Sequence, residues 1–196
     1  MKYYLTLMFC LLAAPVFAQT DKDLLNKYAE AISEVQSLYS RFSEEKHLSL
    51  LNEPLESEGR LVFDKKAKKL RWQYQKPFEK GFLIEQKDVY QLTNGKKQLV
   101  ENTIGRMMAA QMLVWLTLDF NSLKDSYQIS ADKNIITFIP KDTNNKAVKQ
   151  ITVWLEEKDP RLVTKVKMSE PGGDFIIWKF SDTRLNAPLK EGDFLL

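Results

Sequence analysis

The sequence predicts a mainly β protein with helices (α+β class), built as an antiparallel barrel or strongly curled sheet of about ten or eleven strands. Three features predict this class. Short apolar segments with period-two alternation recur along most of the chain, and turn residues such as Asn94 and Gly95 separate them. Only two segments show a helical pattern. No internal repeat or low-complexity linker divides the sequence, so we expect one domain.

The N-terminus has the pattern of a cleavable signal peptide. A short basic start precedes an apolar run too short to span a bilayer, and Val16 and Ala18 occupy the small-residue positions before the cut. We expect residues 1–18 to be the signal and residues 19–196 to form a single periplasmic domain. The one cysteine, Cys10, lies within the signal, so no disulfide is expected in the domain.

The first element after the signal is predicted to be an amphipathic helix. Apolar residues recur at spacings of one and three, and polar and charged residues occupy the opposite face. The apolar positions are Leu24, Leu25, Tyr28, Ala31, Ile32, Val35, Leu38, Tyr39 and Phe42.

Period-two segments dominate from about residue 43 onward. The first of these contain Leu61 and Phe63, then Leu70, Trp72 and Tyr74. Further strands are predicted near 82–84, 89–92, 127–130, 135–139, 148–155, 162–168 and 175–180.

One central segment interrupts the strand pattern. From Ile104 to Leu118 the chain is apolar nearly all round and rich in Met, Ala, Leu and Gln, which favour helix. We therefore expect a mostly buried helix here.

The residues required for common enzyme chemistry are missing, so we expect no enzyme, no metal and no cofactor. His47 is the only histidine, and the predicted domain has no cysteine, so the usual zinc and transition-metal sites cannot be assembled. No Gly-x-Ser-x-Gly elbow or phosphate-binding glycine loop is present. A formal net charge of +3 is too small for a nucleic-acid-binding surface, and no nucleic acid partner is expected.

Large apolar side chains are the feature of the sequence that best indicates a function. Three methionines cluster in the central segment, where flexible side chains suit ligands of varied shape, and a sheet larger than eight strands or left open encloses a ligand space. We expect an acyl-binding cavity beneath a lid formed by the central helix. We expect Phe63, Trp72 and Tyr74 to shape this cavity more than they hold the fold. The full candidate set is Leu61, Phe63, Leu70, Trp72, Tyr74, Phe82, Ile84, Met107, Met108, Met112 and Trp115.

A run of basic residues precedes Trp72 in a predicted hairpin turn. Lys66 and Lys69 are its candidate functional members, for contact with anionic headgroups or an acidic partner. The alternative interpretation is a solvated turn that protects the sheet edge.

Several motifs resemble the periplasmic outer-membrane lipoprotein carrier (LolA-type) family. They are residues 58–63, the Leu-x-Trp-x-Tyr-x-x-Pro segment at 70–77, residues 82–84 and 89–90, and the ending Trp178-Lys179-Phe180. The resemblance implies an open antiparallel β-barrel capped by helices. It also implies a carrier that binds lipoprotein acyl chains and moves them from an inner-membrane ABC transporter to an outer-membrane acceptor. We expect such a carrier to be a monomer.

Two features depart from the family pattern. Carriers have an Arg-Pro pair six residues before the tryptophan, where this sequence has Lys66 and Ala67. Lysine keeps the positive charge but lacks the planar guanidinium that can form two parallel hydrogen bonds to one partner. The role of the family's arginine is therefore not assigned to Lys66 directly. Residues 113–119 resemble a divergent branch associated with clusters that make lipid-like polyenes, which implies lipid or polyene conjugates as alternative cargo.

Two rival functions belong to other classes. The first is a sensor or regulatory module of the same fold that binds mislocalised lipoproteins, but such a relative would be expected to carry a second domain. The second is a lipid-acting hydrolase, which the missing nucleophile arrangement disfavours.

The mature protein is predicted to begin at Gln19 and to be found in the soluble periplasmic fraction, because the apolar run is short and Ala18 precedes the cut. N-terminal sequencing of the purified protein checks this. Recovery of residues 1–18 on a membrane-bound protein would contradict it.

Overall fold

Eleven strands and one α-helix form most of the regular structure in the computed structural model, which describes residues 17–101, 123–144 and 147–194. The helix α1 covers Phe17–Ser33, and a short 3-10 helix covers Glu191–Asp193. The strands before residue 101 are β1 (Ser37–His47), β2 (Leu55–Asp64), β3 (Lys69–Lys76), β4 (Lys80–Glu85), β5 (Asp88–Thr93) and β6 (Lys96–Leu99). The later strands are β7 (Tyr127–Asp132), β8 (Ile135–Pro140), β9 (Gln150–Leu155), β10 (Val163–Ser169) and β11 (Phe175–Leu185).

All eleven strands belong to one antiparallel sheet. Its order is β6-β5-β4-β3-β2-β1-β11-β10-β9-β8-β7, so the first and last strands are neighbours in the middle. Within the described residues no pairing joins the edge strands β6 and β7, and the sheet is therefore open. The mainly β class and the open antiparallel sheet predicted from the sequence are confirmed. The helix predicted at 104–118 lies outside the described residues.

The sheet is strongly curled. Trp72 on β3 and Trp178 on β11 are three strands apart, which corresponds to roughly 14 Å in a flat sheet. Their ring centroids nevertheless lie 6.4 Å apart, and the Trp72 and Phe180 centroids lie 6.3 Å apart. The strands must therefore bend around the face that carries these rings.

The predicted N-terminal helix ends earlier than expected. It stops at Ser33, and the residues up to Phe42 that were assigned to it form most of β1. Leu38 and Phe42 fit both a helical and a period-two pattern, and Ser40 between them faces the same side of the strand. Pairing decides the outcome, because β1 forms ladders with β2 and with β11 on its two edges.

Two buried clusters lie on the two halves of the curled sheet. The α1 cluster joins the helix to β7–β10 and consists of Tyr28, Ile32, Leu123, Ala131, Ile136, Phe138, Ile151, Val153 and Leu155. The aromatic cluster joins β1–β5 and consists of Phe42, Leu61, Phe63, Leu70, Trp72, Ile84 and Val89. In the described part of the chain, no helix has the length and apolar character needed to cross a membrane.

A glycine at the centre of the aromatic cluster makes close packing possible. Gly59 pairs with Phe42 on one side and Tyr74 on the other. A Cβ atom on Gly59 would lie 2.1 Å from the Gln73 carbonyl oxygen and 2.4 Å from Phe42 Cζ. The missing side chain lets the Phe42 and Tyr74 rings meet edge to face, with centroids 5.3 Å apart.

Gly59→Ala is therefore predicted to destabilise the fold by about 1–3 kcal/mol, because the new methyl group meets backbone that cannot yield easily. Gly172→Ala is the matched control, since a Cβ there meets nothing within 4 Å. Its effect should stay within about 0.5 kcal/mol. Urea unfolding followed by circular dichroism measures both variants, and equal midpoints would refute the packing argument.

Candidate functional site

A cavity of about 500 Å³ lies between the two halves of the sheet. Its volume falls within the range of roughly 300–1,000 Å³ that is typical of small-molecule pockets. Both halves of the sheet and the C-terminal end of α1 contribute to its walls. The described lining residues are mostly apolar: Ile32, Val35, Leu38, Leu61, Phe63, Trp72, Tyr74, Phe82, Tyr127, Val148, Ile151, Val153, Val163, Val166, Met168, Ile176, Trp178 and Phe180, with Ser33, Ser40, Lys65, Arg161 and Thr183 as polar members.

One wall is a set of aromatic rings centred on Trp72. Its ring lies 4.5 Å from Phe42 and 6.4 Å from Phe82, with the latter pair nearly parallel. Trp178 and Phe180 meet it edge-on. Trp72 is only 3% exposed, so it lines the cavity and is also packed on several sides. This differs from the expectation that it mainly shapes the cavity.

The opposite wall comes from β9, β10 and the end of α1. Ile151 and Val153 on β9 face Met168 and Val166 on β10 across the ladder, and all four side chains line the cavity. Ile151 and Val153 also belong to the α1 cluster, in which Phe138 on β8 is fully buried. The Tyr28 hydroxyl donates a hydrogen bond to the Lys133 carbonyl and fixes α1 against the β7–β8 turn.

A polar cluster lies next to the aromatic wall. The Tyr74 hydroxyl and the Trp178 indole Nε1 each donate a hydrogen bond of 2.6 Å to Glu44 Oε2. Burial, followed by the hydrogen bond to Glu44, raises the pKa of the Tyr74 phenol well above its ordinary value. Tyr74 therefore stays neutral and keeps its proton directed at Glu44 at physiological pH.

The structure brings five of the predicted site residues together on the cavity wall. These are Leu61, Phe63, Trp72, Tyr74 and Phe82.

Leu70 and Ile84 do not line the cavity. They are buried in the aromatic cluster, with exposures of 0% and 3%. Met107, Met108, Met112 and Trp115 lie outside the described residues.

The basic turn differs in part from its prediction. Lys66 is exposed in the β2–β3 turn, as expected. Lys69 does not belong to the turn, because it begins β3 and its ammonium lies 2.8 Å from Glu85 Oε1. The guanidinium of Arg71, which closes the basic run, is buried.

Sequence reasoning missed the second half of the lining. The first part of β1, up to Phe42, is predicted from the sequence to be helix, so the prediction does not place Leu38 and Ser40 on a cavity wall. The residues Val166, Met168, Ile176 and Trp178 alternate along β10 and β11, and this period-two pattern was the available signal. Among the described residues, no group of three His, Cys, Asp or Glu side chains could hold a metal ion.

A curled, open antiparallel sheet around an apolar cavity is the architecture of a protein that binds apolar ligands. The model of the family described as outer membrane lipoprotein carrier protein LolA matches residues 33–196, and the chain belongs to this family. The resemblance drawn from the sequence motifs is confirmed. The family consists of carriers rather than enzymes, and it places the protein in the cell envelope. No curated protein sequence matches the chain significantly.

Solved structures share this fold at low sequence identity. An uncharacterized conserved protein from Thermus thermophilus has a TM-score of 0.55 at 10% identity, covering 88% of this chain and 91% of the other. The Mycobacterium tuberculosis lipoprotein LppX has a TM-score of 0.52 at 12% identity, covering 87% and 98%. A chain of the Pseudomonas aeruginosa MucA/MucB complex has a TM-score of 0.53 at 14% identity, covering 89% of this chain and 60% of that one.

Two cavity-lining aromatics are predicted to differ in their contribution to stability. Trp72→Ala should cost about 3–5 kcal/mol, because the ring is enclosed by other aromatic side chains. Phe82→Ala should cost about 1–2 kcal/mol, since Phe82 is half-buried. Denaturant unfolding of the two variants provides the comparison. Equal losses would show that the two rings are equally packed.

Proposed function

We propose that the protein is a periplasmic carrier that binds the acyl chains of lipoproteins, or of lipid-like cargo, in this cavity and transfers them from the inner to the outer membrane. An inner-membrane ABC transporter and an outer-membrane acceptor are the proposed partners. The observation that carries this proposal is the apolar cavity between the two halves of the sheet. Membership of the carrier family supports the same function.

The energetics of the cavity suit an acyl chain. Burial of an acyl chain contributes about 0.8 kcal/mol per CH₂ group. The described walls present aliphatic and aromatic side chains along most of the cavity, and few polar groups interrupt them. A chain of varied length or branching can therefore bind without a dedicated partner for each atom.

The two walls differ in adaptability. The aromatic wall is built from interlocked rings, which fix its shape. The β10 side contributes Met168, Val163 and Val166, which are only partly buried and pack against the α1 cluster. Met168 can change rotamer at low cost, so this side can adjust to different chains.

A regulatory module of the same fold is the second candidate. The similarity to a chain of the MucA/MucB complex favours it, since that fold occurs there in complex with another protein. This chain spans 60% of the length of that one. The family match over residues 33–196 favours the carrier.

Introducing a charge into the cavity is predicted to weaken acyl binding. Met168→Glu places a carboxylate on the cavity wall. An acyl chain bound beside it would remove water from the carboxylate, which is unfavourable, so the affinity for a fluorescent fatty-acyl probe should fall by about tenfold or more. Lys167→Glu is the matched control on the other face of β10, where Lys167 lies over the Phe175 ring. Its affinity should change by no more than about twofold.

Fluorescence titration measures both affinities, and thermal melting confirms that both variants are folded. Mass spectrometry of lipids that copurify from the periplasm identifies the cargo. Equal probe affinity in the two variants would place the binding site elsewhere and remove the main support for a carrier.

A further inference from the structure

A carboxylate stands on the same face of β1 as the cavity lining. Side chains alternate along the strand, so Ser40, Phe42 and Glu44 share one face. Ser40 lines the cavity and Phe42 packs on its aromatic wall. Glu44 comes next; it is not itself a lining residue, but it is hydrogen-bonded to two residues that are, Tyr74 and Trp178.

The hydrogen bonds of Glu44 leave one oxygen available. Both donors bind Oε2, and Oε1 has no hydrogen-bond partner among the described residues. Glu44 is half-buried, and Oε1 is not among the buried atoms that lack a partner. This oxygen can therefore accept a hydrogen bond from a bound molecule.

Glu44 also differs from Glu45 and Glu85, two other partly buried carboxylates of the sheet. Glu45 is paired with Lys179 at 2.5 Å, and Glu85 is paired with Lys69 at 2.8 Å. No lysine or arginine in the described ranges lies within ion-pair distance of Glu44. The ammonium of Lys80 instead lies over the Tyr74 ring, 5.3 Å from its centroid. The charge of Glu44 is thus not neutralised by the fold.

The opposite end of the cavity carries positive charge. Lys65 lines the cavity next to the start of β1, where its amide is bonded to the Gln36 carbonyl and its ammonium donates a hydrogen bond of 2.8 Å to the Ser33 carbonyl, which leaves its charge unpaired within the described part of the chain. Eight residues of extended strand separate Gln36 from Glu44, a distance of about 26 Å. Arg161, the other cation of the lining, is engaged by Asp159 through two hydrogen bonds of 2.8 Å. The cavity therefore has a positive charge at one end, on Lys65, and a negative charge beside its other end, on Glu44.

We infer that Glu44 is a specificity-determining residue that selects amphiphiles whose polar end is an ammonium group. The inference rests on the proposed function, since it concerns cargo in the same cavity. An ammonium group donates to Oε1 and gains a charge–charge attraction that is strong beside an apolar wall. A carboxylate-headed chain placed in the same direction meets like charge.

The test compares three ligands of equal chain length, dodecylamine, dodecanol and dodecanoate, by displacement of N-phenylnaphthylamine from the mature protein at neutral pH. The wild type should bind dodecylamine about tenfold more tightly than dodecanol. Glu44→Gln keeps an acceptor for Tyr74 and Trp178 but removes the charge. It should lower dodecylamine affinity by about tenfold, change dodecanol affinity by no more than about twofold, and leave dodecanoate affinity unchanged or higher, because a like charge is removed.

Two further variants separate charge from structure. Glu45→Gln removes the neighbouring carboxylate that is paired with Lys179, and it should retain the wild-type preference. Tyr74→Phe removes one donor to Glu44 but keeps the carboxylate, and it should also retain the preference for the amine.

Three results would overturn the inference. They are equal binding of amine and alcohol by the wild type, an equal loss for all three ligands in Glu44→Gln, and loss of the amine preference in Tyr74→Phe. The last two would make Glu44 a structural link between strands. Absence of binding for every ligand would instead reject the proposed function, and this inference with it.

Discussion

Pairing between the first and last strands is the constraint on which the rest of the structure depends. β1 and β11 are the first and last strands in chain order, yet their ladder runs from Leu38 with Leu185 to His47 with Phe175. It joins two meanders that would otherwise each present an open edge. Because every residue of this ladder is far from its partner in sequence, its closure costs more entropy than any hairpin in the sheet. The curl of the sheet, and with it the cavity, exists only once this pair has formed.

The cavity persists because its two walls are supported separately. The aromatic cluster fixes β1–β5, and the α1 cluster fixes the helix against β7–β10. Neither cluster can move into the space without losing its own contacts, and Gly59 shows how tightly the aromatic side is already packed. Side chains that face an apolar cavity make fewer dispersion contacts than side chains in a fully packed core. A bound acyl chain can supply these contacts and so stabilise the folded protein. A ligand that binds only the folded state raises its stability by mass action.

Sequence reasoning predicted the aromatic wall because its signal is local. Leu61, Phe63, Trp72 and Tyr74 alternate within short segments that also carry the family motif. The sequence predicts the first part of β1 as helix because Leu38 and Phe42 satisfy both periods, and the choice depends on β11, which lies at the other end of the chain. For the other wall, the period-two pattern indicates which residues share a face but not that this face lines a cavity. Nothing local distinguishes the inward face of β9 and β10 from a general core face, and only the curl of the sheet makes it a cavity wall. Leu70 and Ile84 show the converse case, since they share the alternation and the sheet face of the lining residues but are buried in the aromatic cluster and do not line the cavity.

The hydrogen bonds of Glu44 connect the architecture to the chemistry of the cavity. Its carboxylate joins β1 to β3 through Tyr74 and to β11 through Trp178, so it spans the central ladder and a wall of the cavity at once. The protons of both partners are directed at Oε2. Glu44 Oε1 and the lone pairs of Tyr74 are therefore acceptors at this end, where the Lys80 ammonium lies over the Tyr74 ring. The Lys65 ammonium at the other end donates one hydrogen bond to the Ser33 carbonyl and can donate others. The carboxylate that links three strands therefore also makes the two ends of an apolar cavity differ in charge, so that an amphiphile is expected to bind in one orientation.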